Sequence, residues 1–137
     1  MGLYLTIFDN EVELGGVEIG SYDDFFFFRN SISRFLESGQ IGARFPVLMK
    51  HSDCDGVWSS EDSIDLEAEL KIIEIEAIQC LPIPLNSEWQ IRIFRNRGME
   101  PRNLFECYID IEGNPLLRRL IDLAKLSQDK NLPILFQ

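Results

Sequence analysis

The tetrapeptide Ser21-Tyr22-Asp23-Asp24 marks the point where the chain changes period, and that change restricts the folds open to both flanks. Before it, residues 3–8 (LYLTIF) form an apolar, β-prone run. Val12, Leu14, Val17 and Ile19 then alternate around Gly15-Gly16, which reads as a turn or bulge. After it, Phe25, Phe28, Ile32, Phe35 and Leu36 recur at helical spacing as far as Gly39. Ser21 followed three residues later by Asp24 is a capping-box variant, with Asp in place of Glu, and fixes the helix start. A chain that begins strand, strand, helix must bury a sheet against helices.

The remaining elements follow by the same reasoning. FPVLM at 45–49 reads as a buried strand, and SSEDSIDLEAELKIIEIEAI as a helix capped by Ser59 or Ser60, with acids in its first turn. Pro82 and Pro84 make LPIPL an extended connection. WQIRIF and LFECYIDI alternate as strands do. Asn114-Pro115 supplies a cap and a proline at the first helical position, and Leu116, Leu117, Leu120, Leu123 and Ala124 form the inward stripe of a third helix. LPILF closes as a strand. The expected architecture is α+β (mixed α/β): a single domain over residues 1–137, with one sheet of about five to six strands and three helices packed on it.

Ten phenylalanines and 45% hydrophobic residues in 137 argue for a real core and against disorder. A net charge of −10 argues against general affinity for nucleic acid or anionic membranes, both of which require a cationic surface. Cys54, Cys80 and Cys107 are too few and too scattered for a disulfide framework. No signal-peptide pattern or membrane-length apolar run occurs. MGLYLT fits the N-myristoylation pattern through Gly2 and Thr6, but GLYLTIF reads better as a strand. The expectation is a reduced, cytoplasmic domain.

Residues 50–62, KHSDCDGVWSSED, gather the chain's single histidine with acids and a thiol. As a calcium loop with Gly56 at the sixth position, the segment has His51 first and Asp62 last, where an aspartate and a bidentate glutamate are wanted. As a zinc site, His51 and Cys54 supply two local ligands where three or four are needed. As a nucleophile pair, His51 and Cys54 are neighbours on one turn, whereas catalytic dyads usually join distant elements. A metal-dependent or thiol enzyme centred on His51, Cys54, Asp53 and Asp55 is the alternative reading. The simpler one is a strand-to-helix turn in which Asp and Ser accept backbone N–H groups and Gly56 takes a positive φ. No catalytic residue, metal ligand or cofactor is assigned.

The charge is unevenly distributed. Residues 1–76 hold 16 acids and 5 bases, and residues 77–137 hold 7 acids and 8 bases. Glu61, Asp65 and Glu69 repeat at i, i+4, each like-charge pair costing an isolated helix about 0.2–0.5 kcal/mol. These acids form either a solvated face, a face paired to Arg92, Arg95, Arg97 and Arg102, or a surface for a basic partner. In the partner reading the contact residues are Asp53, Asp55, Glu61, Asp62, Asp65 and Glu69. In FFFF at 25–28, Phe26 and Phe27 lie off the inward stripe and are either covered by a neighbouring element or exposed as interface anchors.

The runs MGLYLTIFD, GGVEIGSYDDFFFFR, RFPVLMKHSDCDGVWS and YIDIEGNPLLRRLIDLAKLSQDKNLPILFQ, in this order, resemble the immunity protein 70 family of bacterial polymorphic-toxin systems. The similarity spans almost the whole chain and is weakest between about residues 64 and 103. The resemblance implies a small cytoplasmic protein that binds and blocks a cognate toxin domain; it carries across no active site or cofactor, and blocking needs none. A homodimeric adaptor built on an open sheet edge or the Phe-rich helix is a further alternative.

Overall fold

The computed structural model describes residues 2–51 and 56–137. Gly2–Asp9 (β1) and Val12–Ser21 (β2) form an antiparallel hairpin that turns at Asn10-Glu11, with Asn10 in the left-handed region at φ 58°. Gly15-Gly16 therefore lies within β2, beside a register shift that leaves Leu14 without a cross-strand partner. A Cβ on Gly15 would sit 2.9 Å from Leu126 Cδ2, and one on Gly16 would collide with the Tyr4 hydroxyl. The pair is the place where another helix and the neighbouring strand's tyrosine approach the backbone.

Tyr22–Leu36 (α1) begins at the expected capping box. Pro46–Met49 (α2), Val57–Trp58 (β3), Ser60–Ile78 (α3), Glu88–Arg97 (α4), Leu104–Cys107 (α5), Leu116–Lys130 (α6) and Ile134–Phe136 (β4) complete the chain. The sheet order is β2-β1-β4-β3, antiparallel throughout. β1 and β4 are its central strands, so residues from the two ends of the sequence pair directly: Tyr4 and Gln137 exchange both backbone hydrogen bonds at 2.9 Å.

Leu3, Leu5 and Ile7 of β1 meet Val17 and Ile19 of β2, Phe25, Phe28 and Ile32 of α1, and the inward rows of α3 and α6 in one buried cluster. α6 packs on β1, β2, β4 and α3. Each fully buried leucine or isoleucine in this cluster contributes about 1.5–3 kcal/mol. The aromatic part is ordered by edge contacts, Phe28 to Tyr108 at 4.9 Å and Trp58 to Phe136 at 4.7 Å between ring centroids.

The α+β class holds, but the element count differs: four strands and six helices among the described residues, against the expected five to six and three. Three segments read as strands are helical. In FPVLM, Pro46 takes the first position of α2, and a side chain from α3 accepts the next two amides. WQIRIF fits both periods, since Gln90 and Phe94 are also four apart, and these two are buried. Gln90 Oε1 accepts the amides of Asn86 and Ser87, and Gly98 ends α4 at φ 64°. In LFECYIDI, Asn103 Oδ1 accepts from Glu106 N and closes the single turn of α5. The rest of that run makes one bridge, from Ile109 to Pro115, and enters a turn at Ile111. Pro115, not Asn114, is the N-cap of α6.

Candidate functional site

α3 runs for 19 residues, about 28 Å, along the region richest in acids. Ser59 and Asp62 form its capping box, Asp62 N to Ser59 Oγ at 2.9 Å and Ser59 N to Asp62 Oδ2 at 3.1 Å. Glu61 and Asp62 sit in the first turn, where the helix dipole favours negative charge. Leu66, Leu70, Ile73 and Ala77 face the core.

Beyond the first turns, the acids are taken up by the fold. Glu67 pairs with Lys71 at 2.6 Å and accepts from Gln128 Nε2 of α6 at 2.7 Å. Glu74 meets Arg118 at 3.2 Å, and Glu76 meets Arg44 at 2.7 Å. Glu69 is buried, its two oxygens accepting from Leu48 N at 3.0 Å and Val47 N at 3.1 Å at the start of α2. Burial, with the charges of Asp65 and Glu37 adding to it, pushes the Glu69 carboxyl above the usual range despite those two amides. Among the described residues Arg92, Arg95, Arg97 and Arg102 do not pair with these acids: Arg102 pairs with Glu106, and Arg97 donates to Gly113 O.

Two further carboxylates in the acidic half are structural. Asp24, the N3 residue of α1, is buried and accepts from Ser21 N, Asn86 Nδ2, Trp89 Nε1 and the Ser87 hydroxyl, holding the start of α4 to the start of α1. Burial alone would raise its carboxyl, but those hydrogen bonds outweigh it and hold the group below the usual range. Gly20, at φ 121°, is required beside it, because a Cβ there would lie 3.0 Å from the Trp89 ring. Glu37 is buried and accepts from Gly42 N, Arg44 N and Phe45 N; these also overcome burial and lower its carboxyl.

The outward face of α3 is what remains. Glu61 and Asp65 are exposed, and neither meets a hydrogen-bond or ion-pair partner among the described residues. Ile64, Ile72, Ile75 and Ile78 are 57, 44, 62 and 49% exposed, with exposed Ala68 between them. At about 100° per residue, Ile64, Ala68, Ile72 and Ile75 fall within about 80° of one another around the helix, and Glu61 lies within the same arc. Lys71, in the same sector, is drawn aside by Glu67. α3 is apolar on both its core face and its solvent face, so sequence periodicity could not show which isoleucines are outward.

Of the residues expected to form a binding surface, the structure brings Glu61, Asp62 and Asp65 together at the first turns of α3. Glu69 does not join them, for the reason given above, and Asp53 and Asp55 lie outside the described residues, as does Cys54. His51 is part of the turn's own architecture. Its Nε2 is 2.7 Å from Val57 O, its ring stacks on Phe136 at 4.5 Å, and its carbonyl accepts from Arg29 at 2.7 Å. Among the described residues no group of three His, Cys, Asp or Glu side chains could hold a metal ion. Cys107 is buried, which raises its thiol above the usual range, and Cys80 is half-buried; both are free.

Two other features stand apart from α3. Phe26 and Phe35 of α1 are exposed, while Phe27 packs partly on the core. An open groove of about 860 Å³ runs between residues 82–85 and α4, lined by Ile91, Phe94 and Met99 together with Arg95 and Glu100. Among the described residues no helix is long and apolar enough to cross a membrane.

Comparison with curated proteins and with solved structures returned no match. The family described as Immunity protein 70 matches residues 3–136, nearly the whole chain, and with that span the protein belongs to this family of immunity proteins directed against toxins.

Proposed function

We propose that the protein neutralises its cognate toxin by binding it, with the exposed acids at the start of α3 forming the edge that meets a basic toxin surface. Glu61, Asp62 and Asp65 are the described residues of that edge, and Asp53 and Asp55 continue it in sequence. The observation that carries this reading is the division of labour along α3. Glu67, Glu69, Glu74 and Glu76 are each engaged by the fold, whereas Glu61 and Asp65 are left exposed to solvent.

An acidic edge on a chain of net charge −10 speeds association with a cationic partner and can occupy a cleft that otherwise holds phosphate. A nuclease is the toxin class that fits this best. Blocking by shape and charge requires no catalytic group.

Co-expression with the toxin domain encoded immediately upstream tests the proposal. The expected result is a stable complex on gel filtration and survival of toxin-expressing cells. No complex at micromolar concentration, together with no rescue, would overturn it.

A further inference from the structure

Resting on that reading, we infer that the isoleucine ridge of α3, Ile64, Ile72 and Ile75, is the energetic centre of the toxin contact and seats in an apolar groove of the toxin flanked by lysine or arginine. A surface helix of a monomeric protein normally turns polar residues outward. Here Glu67 and Lys71 draw each other aside, Gln128, Arg118 and Arg44 hold Glu67, Glu74 and Glu76 sideways, and Glu69 turns inward to α2, so the crest is left to isoleucine. The acids without partners among the described residues lie at one end of the same face, Glu61 within the ridge's arc and Asp65 at its margin.

An apolar centre with a charged rim is the ordinary anatomy of a protein–protein contact, the apolar part setting lifetime and the charges setting encounter rate. The charge also selects the occupant. A second copy of this chain brings another net −10 to a face already bearing exposed acids, whereas a groove with a basic margin complements both features. A single helix face covers only part of the roughly 800 Å² per partner that a stable contact buries, so the ridge forms its centre rather than its whole.

The test uses the full chain, the purified toxin domain encoded upstream, and three variants: Ile72→Gln/Ile75→Gln, Glu61→Gln/Asp65→Asn, and Phe26→Gln as an exposed-apolar control on α1. All replaced side chains are exposed, and glutamine is a good helix former, so melting temperatures should stay within a few degrees of the parent. The isoleucine variant is expected to bind at least about 100-fold more weakly, almost entirely through faster dissociation and equally at low and high salt. Phe26→Gln should bind as the parent does.

Parent-like binding by the isoleucine variant, with the parent still binding toxin, overturns this inference and leaves the neutralisation reading standing. Absence of binding by the parent itself overturns both. A parent that is dimeric by sedimentation velocity, made monomeric by the isoleucine change with toxin binding intact, identifies the ridge as a self-association surface and likewise overturns the inference.

Discussion

The carboxylate of Glu69, on the third helix, accepts the backbone amide of Leu48 at 3.0 Å and so caps a helix that begins 23 residues earlier in the chain. The same carboxylate takes Val47 N at 3.1 Å. A short apolar run containing Pro46 becomes one helical turn because an acid distant in sequence satisfies its free amides.

Replacing Glu69 should accordingly act on the fold before it acts on binding. Glu69→Ala leaves the buried amide of Leu48 and the half-buried amide of Val47 without their acceptor and is expected to cost about 1–3 kcal/mol, read from urea or thermal unfolding. Glu69→Gln, which keeps one acceptor oxygen, should lose less. Parent-like stability of the alanine variant would show that solvent reaches these amides.

Asp24 and Glu37 set the acid side of the stability curve. Both carboxyls are lowered in the folded state because their hydrogen bonds outweigh burial. Each therefore contributes stability that is fully present above the ordinary carboxylate range and is lost as pH falls through its folded value. Glu69 has the opposite sign: its raised carboxyl makes stability decline as pH rises from the ordinary range through the folded value. Urea midpoints taken between about pH 7 and pH 3 should fall steeply at the acid end, and less steeply for Asp24→Asn. An Asp24→Asn curve parallel to the parent's would remove Asp24 from this account.

His51 is expected to matter for the fold. His51→Phe keeps a ring against Phe136 and loses the contact to Val57 O, so a cost of about 0.5–1.5 kcal/mol should appear with toxin neutralisation intact. Elemental analysis of the purified parent should find no stoichiometric metal. A bound metal that disappears in the variant would restore the metal-centre reading of the His51 turn.

Removing charge at Glu61 and Asp65 should slow encounter without shortening the life of the complex. Glu61→Gln/Asp65→Asn is expected to lower the association rate several-fold at low ionic strength, with the difference closing near 1 M salt, where the Debye length is about 3 Å. Association rates identical to the parent's at every salt concentration would reduce these acids to a solvated face.

Elements governed by local chemistry were legible from residues alone. The capping box at Ser21 started α1 where the sequence placed it, Ser59 rather than Ser60 capped α3, the 3.6-residue stripe defined α6, and the strands at both termini formed as read. WQIRIF carried local helix signals as well, Ser87 with Gln90 and then Gly98, which a strand-like alternation obscured. The family resemblance, carried by separate runs in order, extends over residues 3–136.

What tertiary structure alone decided was which charges and which apolar residues are spent inside the molecule. The acids of α3 look alike in sequence, yet Glu69 turns to Leu48, Glu74 to Arg118 and Glu76 to Arg44, while Glu61 and Asp65 turn to none among the described residues. Ile73 is buried, and Ile72 and Ile75 beside it are not. Composition and period count such residues without locating their partners, because the partners lie tens of residues away and meet them only once α2 and α6 have packed against α3.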